Sequence, residues 1–214
     1  MPIRTVLLTG FAPFDGASSN SSADAVALVA SRWNSPVRLL TAVLPVEFAA
    51  APDELDRLVG EHSPYLVIAV GLANGRASIT PERVAINLAD ARIPDESGAQ
   101  PLDEPIDASG PSAFFSGLPV KAIVARLAEE GIPAGLSQSA GTFVCNAVMY
   151  RLMRVVAGTG IRAGFIHVPC SAELAAGTDQ PSLETEIIAR ALELAIEVSC
   201  DPAPEEPIRG GAES

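Results

Sequence analysis

The sequence predicts an α/β protein: a single three-layer α/β/α domain with a mostly parallel, twisted sheet over residues 1–200, followed by a short tail over 201–214. Three observations predict it. Apolar strand-like runs alternate with segments of helical periodicity, the order that builds parallel strands joined by crossover helices. The run Tyr65-Leu66-Val67-Ile68-Ala69-Val70 is apolar throughout, as a strand covered on both faces must be. No repeat and no change of composition divides the chain, and 214 residues suffice for one sizeable core.

Ile3 to Thr9 reads as a buried strand that Gly10 ends. The loop after it carries Phe11 and Phe14 among Gly, Pro and Ser; these rings either plug the end of the core or wall an apolar pocket. Ser21 or Ser22 caps a helix running to about Trp33. Arg38 to Val43 is a second strand, ended near Pro45. Glu47 to Gly60 is an amphipathic helix with Phe48, Leu55, Leu58 and Val59 on its apolar side, and His62 falls in the polar turn beyond. The Tyr65–Val70 strand leads into the loop Gly71-Leu72-Ala73-Asn74-Gly75-Arg76. Glu82 to Leu88 alternates and predicts another strand. The polar segment from Asp90 to about Gly117, rich in Gly and Pro, predicts a long mobile loop that closes towards a site. Pro119 opens a helix to Glu130, and Ile132 to Ser139 follows as a strand. Val148, Met149, Leu152, Met153 and Val156 recur at helical spacing, so Cys145 stands at a helix start. Gly164 to Pro169 is the last central strand and Ser182 to about Ser199 the final helix. Pro, Glu and Gly then dominate, which predicts a disordered tail.

Composition narrows the function classes. With 14 basic and 26 acidic residues the formal charge is −12, which disfavours a nucleic-acid partner through phosphate repulsion. No run is long and apolar enough to predict a transmembrane helix, and the start of the chain enters a strand without a signal-peptide pattern. The 3 cysteines, Cys145, Cys170 and Cys200, are odd in number and lack metal-like spacing. A cytoplasmic protein with free thiols is the simplest expectation.

Phe11, Phe14, Leu72, Cys145 and His167 each follow or end a predicted strand, the edge where open α/β sheets bind ligands. A helix N-terminus has unsatisfied N–H groups and partial positive charge, which favours a thiolate and can receive an oxyanion. Cys145 is therefore a candidate nucleophile, or else a small buried hydrophobe opening a core helix. A thiol nucleophile needs a base, and the chain has 2 histidines. His62 sits in a surface turn; His167 ends a strand on the functional edge, either as the base or as a hydrogen-bonded core residue. Glu82, at the start of a strand beside the Gly71–Arg76 loop, is a candidate for orienting the imidazole, but spacing alone favours an ordinary surface carboxylate and does not pick Glu82 from the other acids.

Several ordered blocks resemble the pyroglutamyl peptidase I family, also called pyrrolidone-carboxylate peptidases. They are Leu7-Leu8-Thr9-Gly10-Phe11-Ala12-Pro13-Phe14, Ile79-Thr80-Pro81-Glu82-Arg83-Val84-Ala85-Ile86-Asn87, Ala91-Arg92-Ile93-Pro94-Asp95, Gly141-Thr142-Phe143-Val144-Cys145-Asn146, and Phe165-Ile166-His167-Val168-Pro169. The resemblance implies a cysteine exopeptidase that removes N-terminal pyroglutamate from peptides, without metal or cofactor, and often as a homotetramer. It implies Cys145 as nucleophile, His167 as base and acid, and Glu82 as orienter. It implies Phe11, Phe14, Phe143 and Val144 as the apolar ring pocket, Asn20 as a pocket asparagine and Arg92 as an arginine near the thiol. Leu72, through its main chain, and Ile93, from the polar loop, are further expected substrate contacts.

The chemistry is coherent. Pyroglutamate carries no charged α-amine, because its nitrogen is in a lactam, so its pocket should be apolar with a few amide partners. The chain departs from the family pattern at Leu72 (glutamine expected), Asn74 (glycine), Ser21 (proline), Val46 (threonine) and Cys170 (an aromatic). Two other readings stay open: a non-catalytic ligand-binding or regulatory protein on the same fold, and a thiol hydrolase of another small amide.

Overall fold

The computed structural model describes residues 4–201. In chain order the elements are β1 (Thr5–Phe11), α1 (Ser21–Arg32), β2 (Arg38–Leu44), α2 (Ala50–His62), β3 (Leu66–Leu72), β4 (Thr80–Pro81), β5 (Val84–Ile86), β6 (Ala113–Phe115), α3 (Val120–Glu129), α4 (Val144–Val156), β7 (Arg162–Val168), β8 (Cys170–Ser171), β9 (Ser182–Leu183) and α5 (Thr185–Cys200). The main sheet has the order β2-β1-β3-β7-β4. Its first four strands run parallel, and β4 is an antiparallel edge. This is the mostly parallel α/β sheet that the alternation of strands and helices predicts. Ile3 and the tail beyond Asp201 lie outside the described residues.

Period-two alternation along the strands sends side chains into two separate cores. Val6, Leu8, Ile68, Val70, Ile166 and Val168 face α1, α3 and α5, meeting Val26, Val29, Ile123, Leu127, Ile188 and Leu192. Leu7, Val67, Ala69 and Phe165 face α2 and α4, meeting Leu55, Leu58, Val148, Tyr150 and Leu152. Each of the Val, Leu, Ile and Phe side chains, fully buried, contributes about 1.5–3 kcal/mol from removal of apolar surface from water. Tyr150 is wholly buried, and its hydroxyl donates to the Pro111 carbonyl at 2.7 Å. Among the described residues no helix is long and apolar enough to cross a membrane.

The structure corrects several sequence expectations. Gly10 does not end β1; it lets α1 approach, since a Cβ there would stand 2.7 Å from the Ala23 nitrogen. The cap of α1 is Asn20 rather than a serine: its Oδ1 accepts from the Ser22 N–H at 3.0 Å and from Ser22 Oγ at 2.8 Å. Such a cap stabilises a helix by about 1 kcal/mol. His62 is the last residue of α2, not part of the turn after it. The expected strand Glu82–Leu88 is broken, because the chain leaves the sheet after Pro81 and pairs again as β5 with β6. The expected strand Ile132–Ser139 makes only isolated bridges, to Ile79 and Glu82. Pro133 within it has no N–H for a ladder. Ser182 and Leu183 pair with β8 before α5 begins at Thr185.

The segment expected as a long polar loop contains β6, and its polar groups make hydrogen bonds within it and to its neighbours. The Asp95 carboxylate accepts from the N–H groups of Phe48 at 2.8 Å, Ser97 at 2.9 Å and Ala99 at 2.8 Å. Asn87 exchanges bonds with the Asp107 backbone at 2.7 and 2.9 Å. Ala89 and Glu104 pair across the segment at 2.7 and 2.9 Å.

Candidate active site

Strands β1, β3 and β7 end together, and the N-terminus of α4 sits over their C-terminal edge. Phe143 caps α4, and Cys145 is the second helical residue. No side chain caps this end, and the first intrahelical bonds run from the Asn146 and Ala147 N–H groups to the Phe143 carbonyl, which leaves the Val144 and Cys145 N–H groups without an intrahelical acceptor. Gly71 on β3 is the register partner of His167 on β7, so both positions face the same side of the sheet. A Cβ on Gly71 would stand 2.9 Å from Cys145 Sγ and 2.8 Å from the Phe165 ring. The thiol therefore lies over the strand position next to His167, on the face shared with α4. The Phe165 ring stands 4.9 Å from the imidazole between centroids.

Behind the thiol, His167 Nδ1 lies 2.7 Å from Glu82 Oε1. The Glu82 side chain is fully buried and His167 almost so. Glu82 reaches this place because β4 lies against β7: its N–H donates to the Phe165 carbonyl at 2.9 Å. The same Oε1 also accepts from Arg76 Nη1 at 2.7 Å. An ionised carboxylate only accepts, so Nδ1 carries the proton and Nε2 is left as the free base.

The electrostatics of the site correct one expectation. Burial pushes the Cys145 thiol up to about 12, with the Glu82 charge adding to it and Arg76 opposing. The helix N-terminus therefore does not produce a standing thiolate here; desolvation outweighs it. Burial also lowers His167, against the hydrogen bond and charge of Glu82 and helped by Arg76. Burial works to raise Glu82, but the hydrogen bond and charge of His167, together with Ser137 and Arg76, hold it below the usual range. These influences favour a resting state with a neutral thiol and a neutral imidazole beside an ionised carboxylate.

A cavity of about 420 Å³ opens in front of the thiol. Phe11, Phe14, Asn20, Leu72, Arg92, Ile93, Phe143 and Val144, the expected substrate residues, all line it together with Cys145. His167 and Glu82 are not in its wall. Phe11 is 2% exposed and belongs to the core as well, so it both plugs the sheet end and walls the cavity. Phe143 is held between Phe14, at 5.6 Å between ring centroids, and Phe48, edge-on at 5.2 Å. Asn20 is 7% exposed and both caps α1 and donates to the Ala12 carbonyl at 3.0 Å, tying the Phe11–Phe14 loop to the helix. Arg92 stands exposed at the rim.

The departures Val46, Asn74 and Cys170 also line the cavity, as do Leu174, Thr178 and Gln180 beyond β8. Nothing in the sequence marks those last three. Arg76 was also missed; its proximity to Glu82 along the chain was the only available signal. Among the described residues no group of three or more His, Cys, Asp or Glu side chains could hold a metal ion.

A cysteine at a helix start, over the C-terminal edge of a parallel sheet and beside a histidine–carboxylate pair, places the chain among the α/β thiol hydrolases. Comparison with known proteins narrows the class. A family model described as pyroglutamyl peptidase matches residues 4–201. The pyrrolidone-carboxylate peptidase of Clavibacter michiganensis subsp. michiganensis is 50% identical over 189 residues, covering 88% of this chain and 89% of that one. The Pseudomonas fluorescens protein of the same name is 49% identical over 195 residues, covering 91% and 92%. The crystal structure of Bacillus amyloliquefaciens pyroglutamyl peptidase I matches with a TM-score of 0.87 at 43% identity, over 92% of this chain and 96% of that one. The chain belongs to the pyroglutamyl peptidase family, and is thus a cysteine peptidase.

Proposed function

We propose that the protein hydrolyses the amide bond after an N-terminal pyroglutamyl residue, with Cys145 as nucleophile, His167 as general base and acid, and Glu82 as the orienting carboxylate. The observation that carries this reading is the hydrogen-bonded His167–Glu82 pair beside a thiol that opens onto a phenylalanine-walled cavity. An uncharged lactam ring suits such walls, whereas the ammonium of an ordinary N-terminus would lose its hydration there.

The resting protonation states set the order of events. The thiol is not ionised beforehand, so its proton passes to His167 Nε2 as Sγ attacks the scissile carbonyl. The first N–H groups of α4 are free to receive the oxyanion. The tetrahedral species collapses to a thioester as His167 returns the proton to the leaving amine. Water, deprotonated by His167, then cleaves the thioester and releases pyroglutamate. Glu82 holds the Nδ1 proton throughout and stabilises the transient imidazolium. Leu72 departs from the family pattern only in its side chain, so its main-chain N–H and C=O still suit the lactam.

The same reading extends to peptide substrates, a cytoplasmic location, one catalytic domain over residues 1–200, and a homo-oligomer with a tetramer expected. The 3 cysteines, all free, suit a reducing compartment. The deciding experiment is hydrolysis of a pyroglutamyl fluorogenic amide against prolyl and free-amine amides. Turnover of the pyroglutamyl amide alone supports the reading. An inert protein, or equal turnover of the prolyl amide, sinks it.

A further inference from the structure

We propose that Arg76 is a positioning residue for this site: by sharing Glu82 Oε1 with His167, it fixes the carboxylate that orients the imidazole. The inference rests on the roles proposed above for His167 and Glu82, but its test does not need turnover.

The local fold delivers Arg76 there. After β3 the Ala73 N–H donates to the Val168 carbonyl at 2.9 Å, holding the loop against the end of β7. The Arg76 N–H then donates to the Ala73 carbonyl at 3.2 Å, closing a tight turn. Gly75 within that turn has φ +84°, a conformation that glycine adopts without steric cost. The guanidinium is thereby sent back along β4. Its Nη1 donates to Thr80 Oγ1 at 2.6 Å and to Glu82 Oε1 at 2.7 Å. Thr80 is itself the register partner of His167. Arg76, Thr80, Glu82 and His167 thus form one connected group at the β4–β7 edge.

Two donors on one buried oxygen have consequences that a surface ion pair lacks. The Arg76 side chain is 32% exposed, whereas Glu82 is 0% exposed. The cation helps to keep the carboxylate ionised in a place where burial alone would favour its protonated form. It also opposes protonation of His167. Among the described residues the charged groups that act on His167 are Glu82 beside β4 and Arg76 in the β3–β4 loop, while α4 places the Cys145 thiol over Gly71, the register partner of His167. Arg76 is absent from the cavity wall, so it acts through Glu82 and not on substrate.

The test is the titration of the His167 ring, followed by NMR in Arg76→Gln and Arg76→Lys, with His62→Ala as background to remove the other imidazole. In Arg76→Gln the His167 midpoint moves to higher pH; in Arg76→Lys it stays near the wild-type position. In the amidase assay the acid limb of kcat/KM moves with it, and kcat falls while KM holds. Glu82→Gln moves the midpoint the other way. If Arg76→Gln does not fold, by near-UV circular dichroism, the Lys variant and Glu82→Gln carry the comparison. An unmoved or lowered midpoint in folded Arg76→Gln, or in the fallback a Lys variant that titrates like Glu82→Gln, overturns the inference. A wild type inert on pyroglutamyl amides but with the expected midpoint shifts counts against the proposed function alone.

Discussion

Gly71 and Cys145 are packed so closely that a Cβ on the glycine would stand 2.9 Å from the sulfur. The glycine is the floor on which the thiol rests, one strand away from His167. Gly71→Ala should therefore displace Sγ or the Phe165 ring. A shift of about 1 Å in a reacting atom costs on the order of 10²-fold in rate, and overpacking costs about 1–3 kcal/mol of stability. A folded Gly71→Ala variant with wild-type kcat on a pyroglutamyl amide would contradict the placement of the thiol.

Cys145→Ser should abolish hydrolysis with the fold intact, because a hydroxyl is the weaker nucleophile beside the same neutral base. Cys200→Ser should be silent, since Cys200 lies in the core between α5 and the sheet. Cys170→Ser should keep kcat and change KM at most modestly, as Cys170 lines the cavity. Loss of activity in Cys170→Ser alone would move the nucleophile to that residue.

His167→Ala should lose more activity than Glu82→Gln, on the order of 10²-fold or more for the base. His62→Ala should be nearly silent: His62 ends α2 and lies 3.7 Å from Glu61 on the surface. Equal losses at the two histidines would contradict the assignment.

Thiol reactivity and stability should both follow the protonation states. With the Cys145 thiol near 12, alkylation by iodoacetamide near neutral pH should be slow and rise steeply in alkali. Fast alkylation at neutral pH would show a standing thiolate. His167 is lowered from 6.5 and Glu82 from 4.5, so in acid the unfolded chain binds protons that the native state refuses. Stability should thus fall as pH drops below 6.5 through the lowered His167 value, and again below 4.5 as Glu82 protonates. Urea midpoints between about pH 8 and about pH 5 measure the first step, and His167→Gln should flatten it.

Leu72→Gln should change KM only modestly, because a regained side-chain hydrogen bond contributes about 0.5–1.5 kcal/mol. If the wild type is inert on pyroglutamyl amides and this variant is active, the side chain governs ring recognition.

The sequence by itself determined the sheet and the layers. Uniformly apolar β3 calls for a sheet covered on both faces, the helical stripes of α4 and α5 supply the covers, and each is a local pattern legible residue by residue. It also determined most of the residues that would gather: Phe11, Phe14, Leu72 and His167 stand at or just after strand ends, and a parallel sheet brings its strand ends to one edge, whereas Cys145 arrives there on the N-terminus of α4 and not on a strand. Three matters were decided only by the tertiary structure. Glu82–Leu88 alternates like one strand, yet β7 and β6 each claim a different part of it, a competition between partners distant in sequence. Residues 90–117 read as a polar loop because hydrogen-bond partners of the segment, Phe48 for Asp95 and Asn87 for Asp107, lie outside it. The thiol reads as activated from its place at a helix start, but its protonation depends on how deeply the assembled site excludes water and on Glu82 and Arg76 facing it from other elements. Desolvation and long-range charge are properties of the packed molecule, and no local pattern in the chain encodes them.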